Sequence, residues 1–203
     1  MSTLQSPIFN RGTPTREFID ELTAWAKAAP DEIFAPNTNF DIFSKVNPEL
    51  GPWADLSERK ATLCLVMLVL AWFESSGDWT EGADSSKSGG NTNENAEAGA
   101  WQESWDGRKL DPSLAKFLAD HGIHDGVTFQ HRMKTDHPLA MSYAALLLRI
   151  DVRDFNRIAN GPVRKGDERQ KTWPNRRQLW DAHQSIYPWL NRDAVLEFKA
   201  LLA

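Results

Sequence analysis

The sequence predicts an all-α fold, with one central buried helix surrounded by shorter helices and at most a minor hairpin. Three observations carry that prediction. Apolar residues recur at helical spacing behind clear start signals, one segment is apolar on every side, and no stretch alternates with β-branched enrichment.

The first element is "TPTREFIDELTAWAKAAP". Thr13 is an N-cap candidate with Pro14 at the first helical position; Phe18, Leu22, Trp25 and Ala26 share one face, and Pro30 ends the helix. An Asn- and Pro-rich loop leads to "DIFSKVNPEL", a short helix. "DLSERKATLCLVMLVLAWFESS" is polar for one turn and then apolar all round, which places it at the centre of a domain. Its apolar run from Ala61 to Phe73 has 13 residues, short of the roughly 20 that a membrane span needs, so no membrane insertion is expected. "DPSLAKFLADHGI" opens on Asp111 with Pro112 next. "HPLAMSYAALLLRI" is long and largely apolar, and "RQLWDAHQSIYPWL" and "DAVLEFKALLA" complete the chain as amphipathic helices. No internal repeat or heptad pattern is present. The expected organisation is one domain over 1–203, an N-terminal helical segment of 1–50 packing on a core of 51–203.

Composition narrows the functional classes. A net charge of −5 with no basic cluster argues against nucleic acid, which needs several cations on one face. The single cysteine, Cys64, cannot form an internal disulfide, and its place in the apolar run makes it a buried thiol rather than a nucleophile. The first residues lack the charged start and apolar core of a signal peptide. His121, His124, His131 and His137 lie among Asp120, Asp125 and Asp136, but their spacing fits no metal signature, and the polar loop lacks the alternation of an EF-hand. No metal and no cofactor is expected.

The chemistry concentrates at "LVLAWFESSGDWTEGADSSKSGGNTNENAEAGAWQ". The apolar helix runs straight into Glu74. At a helix C-terminus the dipole's negative end opposes a carboxylate, and an apolar surround disfavours its charged form, so Glu74 is expected to hold its proton more tightly and to serve as a general acid. The alternative is a Glu74 turned to solvent. Beyond it, Thr80 to Ala98 is a stretch of 19 residues without Val, Ile, Leu, Met or an aromatic, carrying Glu81, Asp84, Glu94 and Glu97. Loops of that length in compact domains are commonly functional or disordered.

"AWFESSGDW", a polar loop and then "EAGAWQES" together resemble the lysozyme-like superfamily, closest to goose-type lysozymes and soluble lytic transglycosylases. Those enzymes carry a Glu-Ser pair at the end of a buried helix and, after a loop, a Gly-x-x-Gln turn. Glu74-Ser75 and Gly99-Ala100-Trp101-Gln102 match, and "AALLLRIDVRDFNRIANGPV" is similar to a later helix ending in an Asn-Gly-Pro turn. The likeness spans about Leu65 to Val163. It departs in a long loop and in Ile158 near the place of a usual tyrosine. A transglycosylase mechanism that relies on that hydroxyl lacks its residue here.

The resemblance implies a glycosidase cleaving β-1,4 linkages of peptidoglycan, a muramidase, or acting on a related aminosugar polymer. Glu74 would protonate the glycosidic oxygen, while Ser75 and Gln102 would orient the acid or hold the sugar. Hydrolysis also needs a second carboxylate. Asp84 is the first candidate and Glu97 the second, followed by Asp78 and Glu81, with Asp78 assigned to the local turn. Trp101, with Trp79 and Trp105, offers an indole face for sugar stacking, against the ordinary role of tryptophan in a core. The alternatives are a lytic transglycosylase using a single Glu and a non-catalytic carbohydrate-binding or interaction domain. The substrate implies action in the periplasm or outside the cell after non-classical delivery, as a secreted effector or phage lysin. Secretion machinery and an immunity or inhibitor protein would be the partners.

Overall fold

The computed structural model describes residues 2–8, 10–35, 55–83, 91–149 and 189–203. They form six α-helices, short 3₁₀ turns at Asp31–Ile33 and Trp105–Lys109, and one two-stranded hairpin. The all-α expectation with a minor hairpin holds. The short helix expected in "DIFSKVNPEL", most of "RQLWDAHQSIYPWL" and the segment around Ile158 lie outside the described residues.

Helix α1 spans Arg16–Ala28, and its start differs from expectation. Thr15, not Thr13, is the N-cap, its hydroxyl accepting from the Phe18 N–H at 3.3 Å. Two threonines flank Pro14, and only Thr15 places its oxygen three residues before a helical N–H; Pro14 then falls before the cap, where an apolar residue covers the first turn. At the far end Ala29 is extended, as a residue before proline must be.

Helix α2, Leu56–Ser75, is the centre of the molecule. Asp55 caps it by accepting from the Glu58 N–H at 2.8 Å, and every residue from Ala61 to Trp72 is buried. A helix apolar on all sides buries itself only if others surround it. Helices α1 and α5 (His137–Leu148) pack against it, and α6 (Arg192–Leu202) lies along it. Buried Glu58 joins α2 to α6 through Arg192 at 2.9 Å and Lys199 at 3.2 Å. Among the described residues, no helix is long and apolar enough to cross a membrane.

Strands β1 (Glu97–Ala98) and β2 (Glu103–Ser104) are antiparallel, Glu97 facing Ser104 and Ala98 facing Glu103. Helix α3, Pro112–Asp120, starts as expected on Asp111 with Pro112, and packs on the 3₁₀ turn and α5. Helix α4, Gly126–Thr135, lies against the hairpin. The N-terminal segment is tied to α6, since Glu197 accepts from the backbone N–H groups of Thr3 at 2.7 Å and Leu4 at 3.3 Å and from the Ser2 hydroxyl. Leu4 and Ile8 enter the core from it.

Candidate active site at the end of the central helix

Helix α2 stops in a left-handed cap. The Gly77 N–H bonds back to the Ala71 carbonyl at 3.1 Å, and the Ser76 N–H to the Trp72 carbonyl at 3.0 Å. Ser76 takes the left-handed conformation at φ 60°. Gly77 follows at φ 75°, where a Cβ would stand 2.5 Å from the Trp72 ring, so no other residue fits. This turn fixes Glu74 on the last turn of the helix, half-buried.

Ser75 is 7% exposed and joins three pieces of backbone. Its hydroxyl donates to the Ala100 carbonyl at 2.9 Å, with the Ala71 carbonyl 3.2 Å away, and accepts from the Asp78 N–H at 3.1 Å. The helix end is thereby stitched to the hairpin. The Gly-x-x-Gln stretch is the hairpin's own turn, connecting β1 to β2. Gly99 stands at φ 75°, where a Cβ would lie 2.7 Å from the Met133 carbonyl oxygen, so the turn rests directly on α4. Gln102 adopts φ 50°, uncommon for a residue with a side chain, and both its backbone N–H (3.1 Å) and its side-chain amide (3.0 Å) bond to the Gly99 carbonyl. Two close bonds to one carbonyl hold that backbone in place.

In front of Glu74 a cleft of about 450 Å³ opens. Glu74, Ser75 and Ser76 line it from the helix end, Gln102 from the hairpin turn, Glu81 from the loop beyond, and Arg11 from the N-terminal segment. Glu74, Ser75 and Gln102 therefore line one cleft.

Among the described residues, the second carboxyl group lining the cleft is that of Glu81. It is exposed, its chain anchored where its carbonyl accepts from the Gly99 N–H at 3.0 Å. Glu97 sits half-buried on β1 and does not line the cleft, and Asp84 lies outside the described residues. Asp78 serves the local turn, accepting from both the N–H and the hydroxyl of Thr80 at 2.7 and 2.8 Å.

Trp101 stands behind the site rather than in it. It is 8% exposed, and its indole N–H donates to the Met67 carbonyl at 2.9 Å. Trp79 stacks on His137 with ring centres 3.8 Å apart and against Phe18 at 5.1 Å; Trp105 is buried under the Arg108 guanidinium. These indoles spend their faces on protein neighbours, and none of them lines the cleft.

Three other reactive groups are occupied or buried. Burial pushes the Cys64 thiol far up, so no thiolate is on offer. His121 bonds to the Phe117 carbonyl and His137 to Glu21. Among the described residues, no three His, Cys, Asp or Glu side chains come together to hold a metal ion. No family model, curated protein or solved structure matches the chain.

Arg11 carried no signal in the sequence, being far upstream and in no motif. Glu81 did carry one. Seven residues past the acid, with a tight turn between, it cannot stray far from the helix end.

Proposed function

We propose that this chain is a glycosidase with a lysozyme-like scaffold, cleaving β-1,4 linkages of peptidoglycan or a related aminosugar polymer. The observation that supports this most is the convergence of Glu74, Glu81 and Gln102 on one cleft at the end of the buried helix. Glu74 is the general acid, with the apolar helix behind it and the cleft before it. It gives its proton to the glycosidic oxygen as the bond breaks and charge builds on the sugar ring. Glu81, solvated and opposite in the loop, is the base that activates water. This inverting route requires the two carboxyl groups to stand about 6.5–9.5 Å apart once substrate is bound. Ser75 acts through the backbone, holding the hairpin turn against the helix, and Gln102 presents its amide to the sugar.

The one-acid transglycosylase remains the second reading, favoured by the position of Glu97 outside the cleft. Digestion of purified peptidoglycan by the parent, Glu74→Gln and Glu81→Gln proteins, with mass spectrometry of the products, separates the two. Reducing ends that vanish in both variants support hydrolysis by the pair. Anhydro ends that survive Glu81→Gln support the single acid, and intact glycan with every protein refutes both. Such an enzyme works in the periplasm or outside the cell, delivered by secretion machinery or a phage. An immunity or inhibitor protein would close the same cleft.

A further inference from the structure

Among the described residues the cleft presents two carboxyl groups to substrate, Glu74 and the exposed Glu81, on a chain of net charge −5. An acidic polymer would be repelled there unless a cation met it. Nearly every Lys and Arg among the described residues is already engaged. Arg16, Lys60, Arg108, Lys109, Lys116, Arg132, Arg192 and Lys199 form ion pairs, while Arg59 and Arg149 bond to the carbonyls of Phe34 and Glu32. Three make no such contact. Lys27 sits in the last turn of α1, where a cation complements the helix dipole. The other two are Arg11 and Lys134. Arg11 lines the cleft, and Lys134, half-buried on α4, comes close to Gly82 of the cleft lining, where a Cβ would lie 3.4 Å from its Nζ.

Arg11 does not hang on a loose tail. Its backbone N–H bonds to the Ile8 carbonyl at 3.0 Å, and the Ile8 N–H to the Gly12 carbonyl at 2.9 Å. Gly12 takes φ 87° to close this turn. Ile8 and Pro14, on either side, are buried. An arginine whose backbone is held on a closed turn, and whose guanidinium has no partner among the described residues, keeps its donors for a ligand.

We propose that Arg11 and Lys134 bind a carboxylate on the glycan, making this cleft specific for an acidic aminosugar polymer over a neutral one. The inference rests on the glycosidase reading and names its substrate class. Arg11 supplies planar donors matched to a carboxylate, and Lys134 adds a charge next to Gly82 of the cleft lining. The carboxylate belongs either to the sugar's own acidic substituent or to a peptide attached to it.

The test is calorimetric binding to full-length Glu74→Gln protein, which leaves the glycan uncut, at low and high salt. The probes are neutral chitotetraose, glycan strands stripped of peptide but retaining the sugar carboxylate, and strands with peptide attached. The expected result is at least about tenfold tighter binding of one or both acidic probes, the contribution of one charge-assisted hydrogen bond. That preference shrinks at high salt and falls several-fold in Arg11→Gln and in Lys134→Gln. Arg11→Lys and Lys134→Arg retain part of it, and Lys27→Gln retains all of it. Preference for the stripped strands assigns the sugar carboxylate, and preference only for the intact strands assigns the peptide. Equal binding of neutral and acidic probes, or a preference untouched in the Arg11→Gln/Lys134→Gln double variant, overturns the proposal, as does no binding at all. The outcome is separate from catalysis. Glu74-dependent cleavage with no acidic preference removes this inference alone, whereas cleavage indifferent to Glu74 removes the glycosidase reading and leaves the binding result standing.

Discussion

Ser75→Ala removes one oxygen atom and tests the site's construction. The lost hydroxyl serves the Ala100 carbonyl, the Asp78 N–H and, at longer range, the Ala71 carbonyl. These losses are unequal. Asp78 is exposed, so water replaces the bond to its N–H, and the Ala71 carbonyl still accepts from Gly77. The Ala100 carbonyl has no such relief, because Ala100 is 1% exposed. One buried acceptor left without its partner costs about 1–3 kcal/mol. At about 2 kcal/mol, and about 2–4 °C per kcal/mol for a chain of this size, thermal denaturation should show a midpoint lower by about 4–8 °C. The hairpin turn loosens against the helix end, so turnover on peptidoglycan should fall by about 10- to 100-fold, with KM little changed because Ser75 acts on geometry. A raised KM with unchanged kcat would mean that Ser75 binds sugar directly. Parent-like stability and turnover together would refute the stitching role.

Gly99→Ala should be worse than Ser75→Ala. It sets a Cβ 2.7 Å from the Met133 carbonyl oxygen at φ 75°, so denaturation should show a larger loss and turnover should disappear. Tyr143→Phe should keep or raise the melting temperature. The Tyr143 hydroxyl is fully buried with no hydrogen-bond partner among the described residues, and burial, then the Glu103 carboxylate, push its proton affinity up. A clear drop in melting temperature would reveal a partner. Acid should weaken the helix starts. Backbone bonds from Glu58 and Thr128 hold Asp55 and Asp125 below the usual carboxylate range, and the Ser113 hydroxyl does the same for Asp111. Carboxylates depressed in the fold stabilise it above about pH 4 and lose that contribution as pH falls through their folded values. Asp111→Ala should therefore lower the melting temperature at pH 7 and make little difference near pH 2.

Helix α2 was legible because its apolar run is unbroken from Ala61 to Phe73, and only a surrounded helix can carry such a run. Asp111-Pro112 was legible because the cap and the first-turn proline are adjacent. Thr13 against Thr15 was not, since two threonines flank one proline and side-chain reach decides between them. The polar segment misled at its far end. Ala96 and Ala98 are buried, and Ala98 pairs in the hairpin, yet alanine contributes little to a count of large apolar residues. Glu74, Ser75 and Gln102 came together because a short motif encodes a local joint. Which second carboxyl lines the cleft did not follow from carboxylate count, because strand β1 holds Glu97 outside the cleft while the turn after α2 brings Glu81 in. Arg11 was invisible for a different reason. Its position depends on Glu197 gripping the first residues and on Ile8 reaching the core, long-range contacts that no local pattern announces.

The proposed role of Glu74 is tested by the mass spectrum of soluble products from purified peptidoglycan treated with the parent protein and with Glu74→Gln. Disaccharide-containing fragments are expected from the parent and none above background from a folded Glu74→Gln protein. Identical fragments from both, or only cleaved peptides, would contradict that role.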